Sequence, residues 1–170
     1  RDTDVMVRVA RGSYSDYIRP LEMDAAGIMV PHIMNLADAR AVVRMTRFHP
    51  IGRRPVDGGN ADGAYCGIPF KDYLQQANQR RFVAVQIEDP EPLADLDAIA
   101  ALEGIDMLFF GPGDFAHGIG KLGQGDAPEI VRARRAVADA ARRHGKFAGT
   151  PGSPQTLRAI QEEGFRFLTV

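Results

Sequence analysis

Two rhythms of apolar and polar residues run along the chain. Val5, Val7 and Val9 alternate with Met6 and Arg8, the two-residue period of a strand that lays its valines against covering helices and turns Arg8 the other way. Gly27 to Val30 is a short apolar run closed by Pro31, and Phe82 to Ile87 and Ile105 to Phe110 are longer ones. Lys146 to Gly149 and Phe165 to Val170 complete the predicted strands. Between these runs the period lengthens to that of a helix. A segment from about Ser15 to Ala25 is predicted helical, with Pro20 marking a break or a new start. Asn35, with Asp38 three residues on, caps a stripe of Leu36, Ala39, Val42, Val43 and Thr46. Leu93, Leu96, Ile99 and Ala100 form the next stripe, stopped by Gly104. Asp126 and Glu129 open a helix that runs to Gly145, with Ile130, Ala133, Val137 and Ala140 on one face. Ser153 and Pro154 suit the N-cap and first position of a last helix, anchored by Leu157 and Ile160 and stopped by Gly164.

The order is strand then helix, repeated about six times, with no hairpin turn chemistry at any strand end. A parallel sheet with covering helices is therefore expected. An α/β TIM (β/α)8 barrel usually takes about 250 residues, so six units predict an incomplete barrel. A doubly wound sheet is the runner-up, but no Gly-x-Gly-x-x-Gly follows a strand and opens a helix. From Pro50 to Asn78 the period is lost among Gly52, Pro55, Gly58, Gly59, Gly63, Gly67 and Pro69, with one helical turn expected near Asp72 to Gln79. Connections of this length are uncommon and often functional. Tyr65, Phe70 and Tyr73 supply apolar anchors that a glycine-rich linker does not need.

Length and charge narrow the class. The chain has 170 residues, which suits a single domain spanning 1–170. It opens directly on a strand with no starting Met and is expected to be part of something longer. With 21 Lys plus Arg against 22 Asp plus Glu, no overall field draws it to nucleic acid or to an acidic membrane. Arg132, Arg134, Arg135, Arg142 and Arg143 read as a solvated helix face, with the last two complementing the helix dipole. Cys66 is the single cysteine, so no intrachain disulfide or multi-cysteine metal site forms, and a reducing, cytoplasmic setting is expected. No run of 18 apolar residues is present, and no membrane partner is expected.

The candidate chemistry gathers at two strand ends. Gln86 and Glu88 share strand parity and are expected inside the barrel near its carboxyl end, while Asp89 faces away or belongs to the loop. The following strand ends in Gly111-Pro112-Gly113-Asp114, a tight turn whose amides suit an anion and whose aspartate returns to the mouth. Ligands bind at these ends in parallel α/β folds. Two carboxylates on neighbouring strands are costly to bury without a cation, and a hard divalent ion such as Mg2+ or Mn2+ resolves this. Zinc is less favoured, because the histidines have no recognisable ligand spacing. In a plainer arrangement, Glu88 or Asp114 pairs with Arg8 or only caps a loop. Arg8 suits either an anionic substrate oxygen or a core ion pair. His32 is either an acid or base or a histidine satisfied by the loop, and the same holds for His49 and His117, while His144 ends a helix. Arg53 and Arg54 lie in the long loop, where a substrate carboxylate is one use for them, and Cys66 has no visible base.

Val7-Arg8-Val9, Gly27-Ile28-Met29-Val30-Pro31-His32, Gln86-Ile87-Glu88 and Gly111-Pro112-Gly113-Asp114, in this order with helices between, resemble the class II 2-keto acid aldolases of the HpcH/HpaI family, relatives of citrate lyase beta subunits. The resemblance continues through Gly145-Lys146-Phe147-Ala148-Gly149. It implies a TIM barrel entered at about its third strand and left at its eighth. It implies a divalent metal, Mg2+ or Mn2+ with Co2+ as a further option, held by Glu88 and Asp114. Arg8 would stabilise an enolate oxygen, Gln86 would position the ligands of the metal, and the amides of Gly113 and Asp114 would receive the carboxylate of pyruvate. The implied reaction cleaves a 4-hydroxy-2-oxo acid to pyruvate and an aldehyde. Alternatives are a lyase of malyl- or citramalyl-CoA type and a non-catalytic homologue. A homo-oligomer, commonly a hexamer, is implied as well. Where family sequences carry Leu-Asp-x-Gly-Ala, with the aspartate supporting a catalytic histidine, this chain has Leu21-Glu22-Met23-Asp24-Ala25, and Glu22 takes the place of the acid. The Asp-x-Glu-His-Gly segment that carries the base in the family has no counterpart here.

Overall fold

The computed structural model describes residues 3–169. Six parallel strands pair strictly in chain order: β1 (Met6–Arg8), β2 (Gly27–Val30), β3 (Phe82–Ile87), β4 (Met107–Phe110), β5 (Phe147–Pro151) and β6 (Phe167–Thr169). Val170, expected in the last strand, lies outside the described residues, as do Arg1 and Asp2. The sheet curls into an incomplete, open barrel. Strand alternation sorts its two faces. Val7, Val9, Ile28, Val30, Val83, Val85, Ile87, Leu108, Phe110 and Ala148 join the large core under the helices. Met6, Met29, Ala84, Met107, Phe109 and Phe167 form a second, smaller cluster on the inner face.

Among the described residues seven α-helices fill the crossovers: α1 (Tyr14–Glu22), α2 (Leu36–Thr46), α3 (Phe70–Arg80), α4 (Leu96–Ala100), α5 (Pro112–Gly118), α6 (Pro128–Arg143) and α7 (Leu157–Glu162). The carboxylate of Asp16 accepts from the Ser13 N–H and hydroxyl at 2.8 and 2.9 Å, which starts α1 one residue before the expected Ser15. Pro20 sits inside its last turn without breaking it. Asn35 caps α2 as expected, its side chain accepting from Asp38 N–H at 2.9 Å. At α6 the cap is Ala127 rather than Asp126, because Pro128 fits the first helical position. In α7 the Ser153 N–H bonds to Thr156 Oγ1 at 2.9 Å, and that local turn moves the helix start past Ser153 and Pro154. The long connection holds more order than its composition predicts. α3 is an 11-residue helix, and its buried Tyr73 and Ala77 pack with Phe48 under the loop. Arg54, one of the two loop arginines considered for a substrate carboxylate, is buried there, bonded to Asp62 at 2.7 Å and stacked on Phe48 at 4.7 Å.

The amino-terminal ends of β3 and β4 are tied by one buried guanidinium. Arg47, only 2% exposed, donates to the carbonyls of Gly104 (2.9 Å) and Arg81 (2.6 Å) and to the Asp106 carboxylate, which also accepts from Val83 N–H at 2.7 Å. Gly104 takes φ +95°, and a Cβ there would meet Ile51 and Val43 at 2.9 Å. Arg47→Ala strands these acceptors and should cost about 2–3 kcal/mol, read as a lower urea midpoint at unchanged m. At the other rim of the core, Arg134 clamps Glu163 with two bonds of 2.7 and 2.8 Å and holds its carboxyl below the usual range. A depressed folded pKa contributes stability above the ordinary glutamate value of about 4.3 and loses it as the pH falls through the folded value. Glu163→Gln should therefore lower stability by about 1 kcal/mol at neutral pH, and the gap to the unmodified protein should close on acidification below about pH 4.

Candidate metal centre

Register builds this site. Ile87 pairs with Phe110, and Gly111 N–H continues the ladder to Ile87 O at 3.0 Å, so Glu88 stands beside Gly111 one step beyond both strands. Glu88 is 0% exposed and Gln86, two residues back on the same face, 5%. The Gln86 amide donates to one Glu88 oxygen, and the backbone N–H of His32, just past β2, donates to the other at 2.9 Å. No Lys or Arg pairs with Glu88 among the described residues. Burial pushes its carboxyl upward in pKa, opposed by the His32 N–H.

Asp114 arrives from the next connection. Gly111 to Asp114, expected as a tight turn, is the first turn of α5, with Gly111 as N-cap. The N–H groups of Gly113 and Asp114 fall where no intrahelical acceptor exists. From β2, His32 turns into the left-handed region (φ +50°) and sets Nδ1 3.0 Å from Asp89 Oδ2 and 3.6 Å from Glu88 Oε1. The Asp89 hydrogen bond raises the imidazole pKa. A ring nitrogen of His32 and carboxylate oxygens of Glu88 and Asp114 all lie within 4.8 Å of one another. A divalent ion fits these groups: two carboxylates and an imidazole converge on one point, and the buried Gln86 Oε1 beside them has no hydrogen-bond partner.

The remaining sequence candidates fall elsewhere or at the margin. Arg8 is exposed at the end of β1, in register with Met29 on the inner face, and forms no ion pair with Glu88 or Asp114 among the described residues. Glu22 ends α1 and pairs with Arg19 at 2.9 Å. It leads into the amino-terminal end of β2, whereas the metal cluster lies beyond the carboxyl ends of the strands. His117 lies on α5, and His144 sits 3.1 Å from Asp97 at the end of α6. His32 and Asp89 are the participants that spacing alone did not place. Fifty-six residues separate His32 from Glu88, and only the pairing of consecutive parallel strands brings them together.

A model of the family described as HpcH/HpaI aldolase/citrate lyase matches residues 1–168. The chain belongs to that family. It is 34% identical over 150 residues to a 5-keto-4-deoxy-D-glucarate aldolase of Enterobacter sp. (strain 638), covering 88% of this chain and 56% of that protein. It is 33% identical over 166 residues to a hydroxypyruvate/pyruvate aldolase of Pseudomonas aeruginosa, covering 97% and 62%. Among solved structures, an HpcH/HpaI aldolase/citrate lyase family protein from Burkholderia cenocepacia J2315 superposes with a TM-score of 0.87 at 35% identity, over 97% of this chain and 65% of that one. The chain thus spans about 56 to 62% of the length of these curated relatives.

Within the HpcH/HpaI pattern, Gly111 is a glycine for a local reason. A Cβ there would lie 2.6 Å from Glu88 Oε2, 2.7 Å from its Cβ and 3.0 Å from Gln86 Nε2. Gly111→Ala should cost about 1–3 kcal/mol through overpacking. By turning Glu88 it should also raise the calorimetric dissociation constant for Mn2+ about tenfold or more. Unchanged Mn2+ binding would show that Glu88 does not sit where the ion does.

Proposed function

We propose that the protein of which this chain is part is a divalent-metal-dependent carbon–carbon lyase that cleaves a 4-hydroxy-2-oxo acid to pyruvate and an aldehyde. The observation that carries this reading is the buried Glu88 carboxylate near Asp114, unpaired with any Lys or Arg among the described residues, with the orphaned Gln86 oxygen beside it, in a chain of an aldolase/lyase family. Glu88 and Asp114 would hold the ion, with Mg2+, Mn2+ or Co2+ as the expected occupants. Bound there, such an ion supplies Lewis-acid polarisation of the 2-keto group.

The chain's own groups do the rest. Gln86 fixes one Glu88 oxygen and offers its free carbonyl oxygen to a donor at the site. The N–H groups of Gly113 and Asp114, aligned at the start of α5, receive the carboxylate of the keto acid. Arg8, on the inner face of β1, stabilises negative charge as it develops on the enolate oxygen, where fixed charge contributes most to rate. The proton of the 4-hydroxyl goes to a base outside this chain's assigned residues. Glu22, on this reading, acts from the far end of α1 only through other groups or through a neighbouring subunit.

Against a CoA-thioester lyase, Arg54 is consumed by Asp62, which leaves Arg53 alone of the two loop arginines to meet a nucleotide. No helix of the described residues is long and apolar enough to cross a membrane. The single cysteine, Cys66, suits a reducing, cytoplasmic setting, and the family resemblance supports a homo-oligomer, with a hexamer the expected state. In the full-length protein, Glu88→Gln or Asp114→Asn should abolish metal-dependent hydrogen exchange at C3 of pyruvate, followed by NMR in D2O, with the circular dichroism spectrum preserved. Arg8→Ala should lower the retro-aldol kcat by about 10²–10³. Exchange that survives both carboxylate changes would end this assignment. Cleavage of CoA thioesters with none of free keto acids would replace it with the thioester reading.

A further inference from the structure

We propose that a groove between the end of α2 and the residues leading into β4 binds a small organic diphosphate, such as a nucleoside diphosphate, through Arg40, Arg44 and Arg53. The site is separate from the metal cluster and independent of the reaction proposed above.

Charge points to it. Arg11, Arg47, Arg54, Arg81 and Arg134 each have an acidic partner, respectively Asp38, Asp106, Asp62, Asp24 and Glu163. Arg40, Arg44 and Arg53 have none among the described residues, and all three line one groove of about 440 Å3. Arg40 and Arg44 stand one turn apart on α2, a spacing at which like charges repel. Arg44, in the last turn, complements the helix dipole, which explains neither Arg40 nor Arg53. One carboxylate, Glu103, lines the groove and neutralises at most one of the three charges. Lys146 adds a further positive charge at the wall, its ammonium donating to Leu102 O at 3.1 Å.

The backbone holds the third arginine in place. After α2, the N–H groups of Ile51 and Gly52 both donate to Phe48 O, at 3.1 and 3.0 Å, and Arg53 N–H donates to Arg44 O at 2.7 Å. Gly52 lies so close to the helix that a Cβ would stand 2.3 Å from Arg47 O and 2.6 Å from Val43 O. The loop is thereby pinned to the last turns of α2. Binding then has side chains to order but little backbone, which lowers its entropic cost.

Chemistry selects the ligand. A guanidinium is a planar fork that matches carboxylate and phosphate. A carboxylate has two oxygens and satisfies one fork, whereas a phosphoryl group brings more strong acceptor oxygens and more charge. Three forks around one groove therefore suit two linked phosphoryl groups. Val43, Ile51 and Leu102 supply apolar lining for an uncharged body attached to them, and the volume falls within the range of small-molecule sites, about 300–1,000 Å3. Val43 and Ile51 also pack on Gly104, whose carbonyl Arg47 binds at the amino-terminal ends of β3 and β4. The groove is thus at the opposite end of the strands from the metal cluster.

The test is calorimetry on the purified full-length protein with ADP, pyrophosphate and adenosine as probes, in EDTA so that no metal bridges a probe to the carboxylates at the other end. ADP should bind, pyrophosphate should bind more weakly and adenosine should not bind. Arg40→Gln, Arg44→Gln and Arg53→Gln should each weaken ADP binding about tenfold, the loss of one charge-assisted contact. All three side chains are exposed, and an unchanged melting temperature confirms the fold of each variant. Arg132→Gln, which removes an exposed arginine of α6 that has no acidic partner among the described residues, should leave ADP binding unchanged. Leu102→Ala should weaken ADP more than pyrophosphate. Absent ADP binding, or binding that Arg132→Gln weakens as much as Arg44→Gln and Arg53→Gln do, would overturn the site. Pyrophosphate bound as tightly as ADP would overturn the assignment of an organic ligand.

Discussion

The site depends on one constraint: a glutamate carboxylate wholly out of solvent at the end of a parallel strand, with no Lys or Arg paired to it among the described residues. In a folded interior, an isolated charge of this kind costs several kcal/mol unless it is paired, protonated or bound to a cation. Glu88 is partly compensated by two donors, the His32 N–H and the Gln86 amide, neither carrying a full charge. These bonds orient both oxygens, but they leave the net charge in place. The raised pKa of Glu88 states the same imbalance as a proton affinity. A divalent ion would answer that imbalance, and the fold brings Asp114 and His32 close enough to Glu88 for the three groups to hold one.

The constraint is met from the opposite end of the strands. Arg47, anchored at the end of α2, gathers the carbonyls of Gly104 and Arg81 and the Asp106 carboxylate, and so clamps the starts of β3 and β4 to one another. From that clamp the ladder runs through Ala84 and Met107 to Ile87 and Phe110 without a bulge. A one-residue slip would turn Gln86 and Glu88 to the helix-covered face and put Ile87 in the lumen. Apolar contacts of Val83, Val85 and Ile87 with the helices oppose this slip, so the core that stabilises the sheet also aims the carboxylate.

Much of this was legible in the chain itself, and the exceptions have physical causes. Alternating or continuous apolar runs locate the six described strands, and β2 has the predicted bounds of Gly27 to Val30, because strands buried on one or both faces carry a strong apolar signal. α3 was underestimated because only Tyr73 and Ala77 are buried on it. Its length comes from good helix formers such as Lys71, Gln75, Gln76 and Arg80, which leave no apolar stripe. α5 hid behind two glycines and a proline that resemble a turn, although proline in the first turn is compatible with a helix. Strand parity points to Gln86 and Glu88, and the Gly111-Pro112-Gly113-Asp114 motif to Asp114, both local properties. His32 and Arg54 were not placed, because each owes its position to a residue far away in the chain or across a loop: Glu88 and Asp89 for the one, Asp62 and Phe48 for the other.

The two halves of the proposed chemistry stand on elements of different rigidity. The candidate ion-holding groups, Glu88 and Asp114, follow β3 and β4, strands paired on both sides within the sheet, and Glu88 and Gln86 are packed so tightly that Gly111 has no room for a methyl group. Arg8 comes from β1, three residues long, paired on one side only among the described residues, with its side chain exposed. The candidate cation site is thus preorganised by the sheet interior, while the charge proposed to stabilise an enolate is mounted on an edge. An edge strand gains its order from whatever packs against its open side. The geometry at Arg8, and with it the proposed electrostatic contribution, is therefore governed by the neighbours of β1, whereas the candidate metal cluster is assembled within β2 to α5.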